Sequence, residues 1–201
     1  VKALNAYQQA LDIRTSALGK DNTKVGDTLF RMGILQLKQQ NYEEAEHCLE
    51  RAMDIRTFYL PLDRPEITEC FLPLVIVYKA THDDKSLEAI LTRYVDNPGA
   101  YDAISMTLKA YILTELGQFY ISHSKTFKGE KTLIKVMTEI PSVPELNGYR
   151  LVAATQLSKL YIATDRKKEA QALLQEGLTW PISTPNASMA DEAKTLIKTI
   201  H

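Results

Sequence analysis

The sequence has few of the residues that would indicate a disulfide scaffold or a redox site. It contains two cysteines, Cys48 and Cys70, and they lack the CxxC spacing of redox and zinc motifs. Two cysteines are too few for a disulfide framework, and isolated cysteines are typically small buried hydrophobic residues. The cysteine content therefore favours a reducing, cytoplasmic setting.

Long apolar runs and an excess of charge are also missing. No stretch reaches the roughly 18 apolar residues that a membrane helix needs, and the net charge is −1. There is no Lys/Arg stripe of the kind that nucleic-acid binding requires. The densest basic run, Arg166-Lys167-Lys168, is followed at once by Glu169, and we interpret it as a solvated helix start. We expect neither nucleic acid nor a membrane among the partners.

The four histidines form no catalytic or metal-binding pattern. Neither HExxH nor a Cys/His zinc spacing occurs, and GxGxxG, Walker and GxSxG sequences are missing too. His82-Asp83-Asp84 suggests a metal or base cluster, but it falls at a predicted turn where Asp84 can cap the next helix. We expect no catalytic residue, no cofactor and no metal, and thus a protein that is not an enzyme.

What the sequence does contain is a repeat. Four segments superimpose at a near-constant step of about 42 residues, and a fixed period between about 20 and 50 residues marks a repeat architecture. The segments are Gly33/Gln36/Tyr42/Ala45/Leu49/Ala52, Val75/Tyr78/Asp84/Leu87/Leu91/Tyr94, Gly117/Tyr120/Thr126/Gly129/Leu133/Val136 and Ser158/Tyr161/Lys167/Ala170/Leu174/Gly177.

Helical periodicity runs through nearly the whole chain. Apolar residues recur at i, i+3, i+4 and i+7, without the alternation of a strand. The predicted helices are 23–40, 42–59, 66–81, 84–95, 100–123, 126–139, 145–164, 167–179 and an amphipathic terminal helix over 186–200. Pro73 predicts a kink in the helix over 66–81, which either shapes the curvature or opens a groove; we favour the first interpretation.

Small residues indicate where the two helices of a pair meet. Gly33, Gly117 and Ser158 lie on the first helices, opposite Ala45, Gly129 and Ala170 on the second helices. Side chains of this size let two helix axes approach to about 8–10 Å. A leucine in each second helix then fills the space between neighbouring pairs: Leu49, Leu91, Leu133 and Leu174.

These positions resemble the tetratricopeptide repeat (TPR), whose consensus has a small residue, an aromatic three on, an alanine twelve on and a bulky apolar residue four later. The ordinary repeat has about 34 residues, and the longer repeat found in this sequence resembles that of the kinesin light chain group. The run Ala10-Leu11-Asp12-Ile13-Arg14-Thr15 is nearly copied as Ala52-Met53-Asp54-Ile55-Arg56-Thr57. This kinesin-light-chain-like signature covers residues 3–81 and fades afterwards.

The resemblance implies an all-α fold of antiparallel helix pairs, stacked as a right-handed TPR superhelix (an α-solenoid) with a C-terminal capping helix. We expect a single domain over 1–201. Its parts are a half repeat at 1–20, repeats at about 22–60, 65–95, 100–139 and 144–179, and the terminal helix 186–200. Because residues 1–18 look like the second half of a repeat, we expect the chain to be a fragment of a longer protein.

The resemblance also implies that the first helix of each pair faces a concave surface. Asp27 and Glu69 begin the inward rows of the first two repeats. Transferred by position, the partner-binding residues are Phe30, Ile34, Lys38, Leu72, Ile76, Lys79, Tyr111, Thr114, Gln118, Ile121, Thr155 and Lys159. Phe30 and Ile34 stand where chaperone-tail binders of this family place the polar residues of a carboxylate clamp, so we expect no such clamp. The apolar members could equally pack between repeats.

The sequence therefore predicts a non-catalytic protein-interaction module. It would bind a peptide segment of a partner in an apolar concave groove. The alternative is an autoinhibitory, regulatory or substrate-recruiting domain of a larger enzyme or signalling protein, which docks onto another domain of its own chain.

Overall fold

The computed structural model describes residues 2–62, 64–183 and 189–200, and these form helices and no strand. The helices are α1 Lys2–Leu18, α2 Thr23–Lys38, α3 Tyr42–Tyr59, α4 Pro65–Thr81, α5 Asp84–Val95, α6 Pro98–Ala103, α7 Met106–Ser122, α8 Thr126–Glu139, α9 Asn147–Ala163, α10 Lys167–Gly177 and α11 Met189–Ile197. Consecutive helices pack in pairs, which confirms the predicted fold class.

The chain divides into two compact units, Val1–Ala103 and Ile104–His201. In the first unit, α1 packs on α2, α2 on α3, α3 on α4, and α4 on α5. In the second, α7 packs on α8, and α9 contacts α7, α8, α10 and α11. The single domain expected over 1–201 stays a prediction.

The turn inside each helix pair has the same geometry. One residue takes a left-handed conformation, with φ between 57° and 62°, and the next residue donates its amide to a carbonyl five positions back. The left-handed residues are Gln40, His82, Ser124 and Asp165; the bonds are Asn41 to Gln36, Asp83 to Tyr78, Lys125 to Tyr120 and Arg166 to Tyr161, at 3.0, 2.9, 2.8 and 2.7 Å. This arrangement satisfies a carbonyl at the helix end. It recurs once in every repeat.

Two local predictions at helix starts are wrong. The helix expected over 100–123 is split into α6 and α7, because Ser105 adopts an extended conformation and its hydroxyl accepts from the Leu108 amide at 3.2 Å. At the second pair, Asp83 rather than Asp84 is the N-cap, and its carboxylate accepts from the Ser86 amide at 3.0 Å.

The other predicted helices are within a few residues of the observed ones. Helix α4 continues through Pro73 to Thr81. Residues 186–188 of the predicted terminal helix lie outside the described residues. In the described part, Ala193 and Ile200 are buried.

The leucines of the second helices form the core as predicted. Each of the four is fully buried: Leu49, Leu91, Leu133 and Leu174. The small residues of the first helices lie against them: a Cβ placed on Gly33 would come 2.6 Å from Leu49 Cγ and 3.3 Å from the Ala45 carbonyl oxygen. The helix pair therefore tolerates no side chain at Gly33.

We expect Gly33→Ala to lower the free energy of unfolding by about 1–3 kcal/mol, because the fully buried Leu49 would have to shift to make room for the added methyl group. Urea unfolding followed by circular dichroism measures the change. Gly99→Ala is the matched control: its Cβ would have no neighbour closer than Asn97 Oδ1 at 3.8 Å, so stability should be unchanged or slightly higher. An equal loss in both variants would contradict the close approach.

Candidate peptide-binding groove

Two parallel rows of side chains in the first unit make up the predicted concave surface. Because α2, α3 and α4 follow one another through short turns and pack together, α2 and α4 run in the same direction and also contact each other. Along α2 the row is Asp27, Phe30, Ile34 and Lys38, and along α4 it is Glu69, Leu72, Ile76 and Lys79. Each row therefore begins with a carboxylate, continues with two apolar residues and ends with a lysine.

The apolar middle of these rows is open to solvent. Leu72 is 44 % exposed and Ile76 is 51 % exposed, although they are large apolar side chains one helical turn apart. Phe30 and Ile34 are half-buried. Phe30, Ile34 and Lys38 also line a cavity of about 300 Å³ together with residues of α1. The surface thus combines exposed apolar side chains with a concavity beside them.

A buried arginine lies beneath the acidic end of the rows. Arg56, near the end of α3, is only 4 % exposed. Its guanidinium reaches Asp27 Oδ1 at 3.0 Å, Glu69 Oε2 at 3.7 Å and Cys70 Sγ at 3.3 Å, and it donates to the Glu66 carbonyl oxygen. The guanidinium carbon also lies 4.6 Å from the centre of the ring of Phe30. Arg56 therefore links the carboxylates of both rows and holds one face of Phe30.

The same arginine contact occurs one repeat earlier. Arg14 of α1 donates to the Lys24 carbonyl oxygen at 3.1 Å and to Thr28 Oγ1 at 2.7 Å. Lys24 and Thr28 precede Glu66 and Cys70, the partners of Arg56, by one repeat of 42 residues. Sequence reasoning recognised the repeated Asp-Ile-Arg-Thr run but assigned it no role. In the structure its arginine joins one repeat to the next.

The surroundings of the Cys70 thiol, which lies beside Arg56, make it unreactive. Burial raises the pKa of the Cys70 thiol to about 11, and the nearby Arg56 charge only partly opposes that shift. Cys48 is also a free, buried cysteine, and burial raises the pKa of its thiol too. Both cysteines thus pack as small apolar residues at neutral pH, as their isolation in the sequence predicted.

In the second unit the predicted surface residues divide into two groups. Tyr111, Gln118 and Ile121 of α7 are half-buried and keep part of their surface exposed. Thr114 and Thr155 are buried, at 4 % and 1 % exposed, so including them in a binding surface is wrong. The Thr155 hydroxyl bonds to a carbonyl of its own helix, whereas the buried Thr114 Oγ1 has no hydrogen-bond partner among the described residues.

Three further residues of the predicted surface in the second unit have defined surroundings. The Thr155 hydroxyl donates to the Leu151 carbonyl oxygen at 2.7 Å. Lys159 forms an ion pair with Glu192, so a residue predicted to contact a partner is engaged by α11 of the same chain. Burial, followed by the charges of Glu115 and Tyr149, raises the pKa of Tyr111, whose hydroxyl therefore remains a hydrogen-bond donor at neutral pH.

No metal site and no membrane segment occur among the described residues. No three His, Cys, Asp or Glu side chains of residues 2–62, 64–183 and 189–200 are grouped so that they could hold a metal ion. The carboxylate of Asp83 in His82-Asp83-Asp84 serves instead as a helix cap. Within the same residues, every helix is too short or too polar to cross a bilayer.

Comparison with known proteins agrees with this geometry. Residues 1–57 match the family model of the tetratricopeptide repeat. The predicted resemblance to tetratricopeptide repeat proteins is confirmed. No curated protein matches the sequence.

Solved structures show the same fold over most of the chain. A crystal structure of the nearly identical TPR-like repeats of a candidate kinesin light chain from Podosopora anserina is 17 % identical, with a TM-score of 0.66. A crystal structure of a variant of those repeats is 18 % identical, with a TM-score of 0.64. Both comparisons cover 88 % of this chain and 84 % of the other. TPR repeats are generally protein-interaction modules, and this fold is typically a non-catalytic scaffold.

We expect Arg56→Ala to lower the free energy of unfolding by about 2–3 kcal/mol. The substitution removes the bond from the guanidinium to the Glu66 carbonyl oxygen and opens a space under Phe30, whereas the share of the half-exposed carboxylates is small. Chemical denaturation measures the change.

The matched control is Arg14→Ala, because Arg14 makes the equivalent contact but is exposed. Its loss should cost less than about 1 kcal/mol. If both variants lost the same stability, Arg56 would have no special role as a link between α2 and α4.

Proposed function

We propose that this chain is a non-catalytic protein-interaction module that binds a peptide segment of a partner. The binding surface is formed by the apolar middle of the α2 and α4 rows in the first unit. The observation that carries the proposal is the exposure of Leu72 and Ile76, at 44 % and 51 %, beside the half-buried Ile34. Exposed apolar side chains that cluster on a concave face are typical of a binding site.

The chemistry of the rows indicates what kind of peptide fits. The centre favours apolar side chains, because only Phe30, Ile34, Leu72 and Ile76 are offered there. The end with Lys38 favours an acidic residue of the peptide. At the opposite end the carboxylates of Asp27 and Glu69 already face Arg56, so that end offers less charge to a ligand. The preferred peptide is therefore apolar with an acidic residue on one side.

Arg56 supports this surface by holding it in shape. Its guanidinium contacts one face of the Phe30 ring and both carboxylates, so the first apolar residue of the α2 row is fixed before a ligand arrives. Fixing a side chain in advance lowers the entropy cost of binding. In the second unit, taken by itself, the partly exposed Gln118 offers an amide that can bond to a peptide backbone.

The double substitution Ile34→Glu with Ile76→Glu tests the groove. Peptides of about 12 residues are first selected from a random displayed library on the unmodified chain, and their affinities are then measured by fluorescence anisotropy. We expect binding to weaken by at least about tenfold in the double variant, because two charges enter an apolar contact. Both residues are partly exposed, so the melting temperature should change little.

Ile13→Glu is the control, since Ile13 is 68 % exposed on α1 and lies outside both rows. It should leave peptide affinity unchanged. Unfolding of the double variant would assign Ile34 and Ile76 to the core, and unchanged peptide binding would place the site elsewhere; either result would overturn the proposal. Turnover of a substrate by the purified chain would contradict the non-catalytic part.

A further inference from the structure

Helix α8 in the second unit carries large apolar residues on its solvent-exposed side, where packing within the repeat does not require them. Its buried face consists of Gly129, Leu133 and Val136. Phe127 and Ile134 lie close to the opposite pole of the helix, seven positions apart, and are 79 % and 40 % exposed. An amphipathic helix that packs through one face normally has polar residues at that pole.

The other repeats show that packing does not require apolar residues there. The positions equivalent to Phe127 and Ile134, counted from the first residue of each repeated segment, are polar in the second helices of the other three full repeats. They are Glu43 and Glu50 in α3, Lys85 and Thr92 in α5, and Lys168 and Gln175 in α10. The apolar pair is therefore a departure of α8 from its own repeat.

The surroundings of this pair are strongly basic. Residues 125–135 and 165–169 together contain seven basic and three acidic residues, a net charge of +4, in a chain whose net charge is −1. Arg166 takes up two of the three carboxylates: it donates to Glu130 at 2.8 Å and to both oxygens of Glu169 at 2.8 Å. These two carboxylates are therefore already engaged by one arginine, and the local excess of positive charge lies with the lysines.

The lysines of α8 lie next to the apolar pair. Lys131 falls between Phe127 and Ile134 on the same pole, and Lys128 and Lys135 border it on one side. Lys131 and Lys135 make no ion pair among the described residues, and the Lys128 ammonium lies 5.5 Å from the centre of the ring of Tyr120. We call Phe127, Lys128, Lys131, Ile134 and Lys135 the α8 surface.

We propose that the α8 surface binds an acidic amphipathic helix of a protein partner. Two apolar anchors seven positions apart on α8 are separated by about 10 Å along its axis, so a partner helix can present apolar residues at a matching spacing. Carboxylates beside those residues would then pair with the lysines. Nucleic acid could use the lysines and stack a base on Phe127, but the aliphatic Ile134 offers it neither stacking nor charge.

A synthetic helical peptide tests the proposal on the whole chain. The probe has about 18 residues, with leucines along one face and glutamates along the other, and its affinity is measured by isothermal titration calorimetry. We expect binding that weakens severalfold between about 50 and 500 mM NaCl. We expect Phe127→Ser, and separately the pair Lys131→Glu with Lys135→Glu, to weaken it by at least about tenfold.

Phe58→Ser is the matched control, because Phe58 is an equally exposed aromatic residue, at 80 %, on α3 of the first unit. It should leave the affinity within about twofold of the original. A scrambled peptide of the same composition should bind at least about tenfold more weakly. Circular dichroism should show the same melting curve for all variants, since every substituted side chain is surface-exposed or half-buried.

Three results would overturn the proposal. The first is no binding of the helical peptide to the unmodified chain. The second is binding that Phe58→Ser, or Ile34→Glu with Ile76→Glu, weakens as much as Phe127→Ser does. The third is tighter binding, with the same dependence on Phe127, to vesicles that contain phosphatidylserine, which would identify the surface as a membrane contact.

Discussion

The first and third helix pairs depend on a place where two helices come closer than ordinary side chains allow. Gly33 meets Leu49 and the Ala45 backbone, and Gly117 meets Leu133. A pair cannot bury its apolar face alone, so the leucines also have to reach the neighbouring pair. The small residues thus decide which face of each helix points inward to the core. The opposite faces, including the α2 and α4 rows and the outer pole of α8, become available only because that choice is made.

The first unit adds a polar constraint to this apolar one. Arg56 comes from a second helix and reaches the exposed rows of two first helices, where its partners include a carbonyl, two carboxylates and an aromatic ring. Burying a guanidinium is costly unless it is paired. Asp27 and Glu69 supply the opposite charge, and the Glu66 carbonyl and the Phe30 ring supply contacts on the buried side. They keep the arginine in place, and the arginine keeps Phe30 at the start of the apolar row. The residues that pack α2, α3 and α4 together therefore also shape the candidate binding surface.

Much of the fold could be predicted from the sequence because it follows from residue size at a fixed spacing. The leucine and glycine positions identified the core, and most helix bounds agree within a few residues. The break at Ser105 could not be seen, since apolar periodicity continues across it and only the serine's backbone conformation ends one helix and begins another. The left-handed turn residues were missed as well, because Gln40, His82, Ser124 and Asp165 share no side chain that signals a turn.

The candidate surfaces differ in how well a residue's position in the repeat predicts them. Transfer by register selected Leu72 and Ile76, which are exposed. It also selected Thr114, which is buried, because register gives the direction of a side chain and not what covers it. The apolar pair of α8 was missed for a different reason. The sequence was searched for residues that the repeats share, and Phe127 and Ile134 differ from the residues at the equivalent positions of the other repeats. In a repeat protein the shared residues make the stack, since every pair needs them for the same packing. A large exposed apolar side chain that occurs in one pair alone has no part in that shared packing. In α8 two such side chains stand together beside lysines, and this combination, which Phe58 lacks, is why we propose a binding surface there.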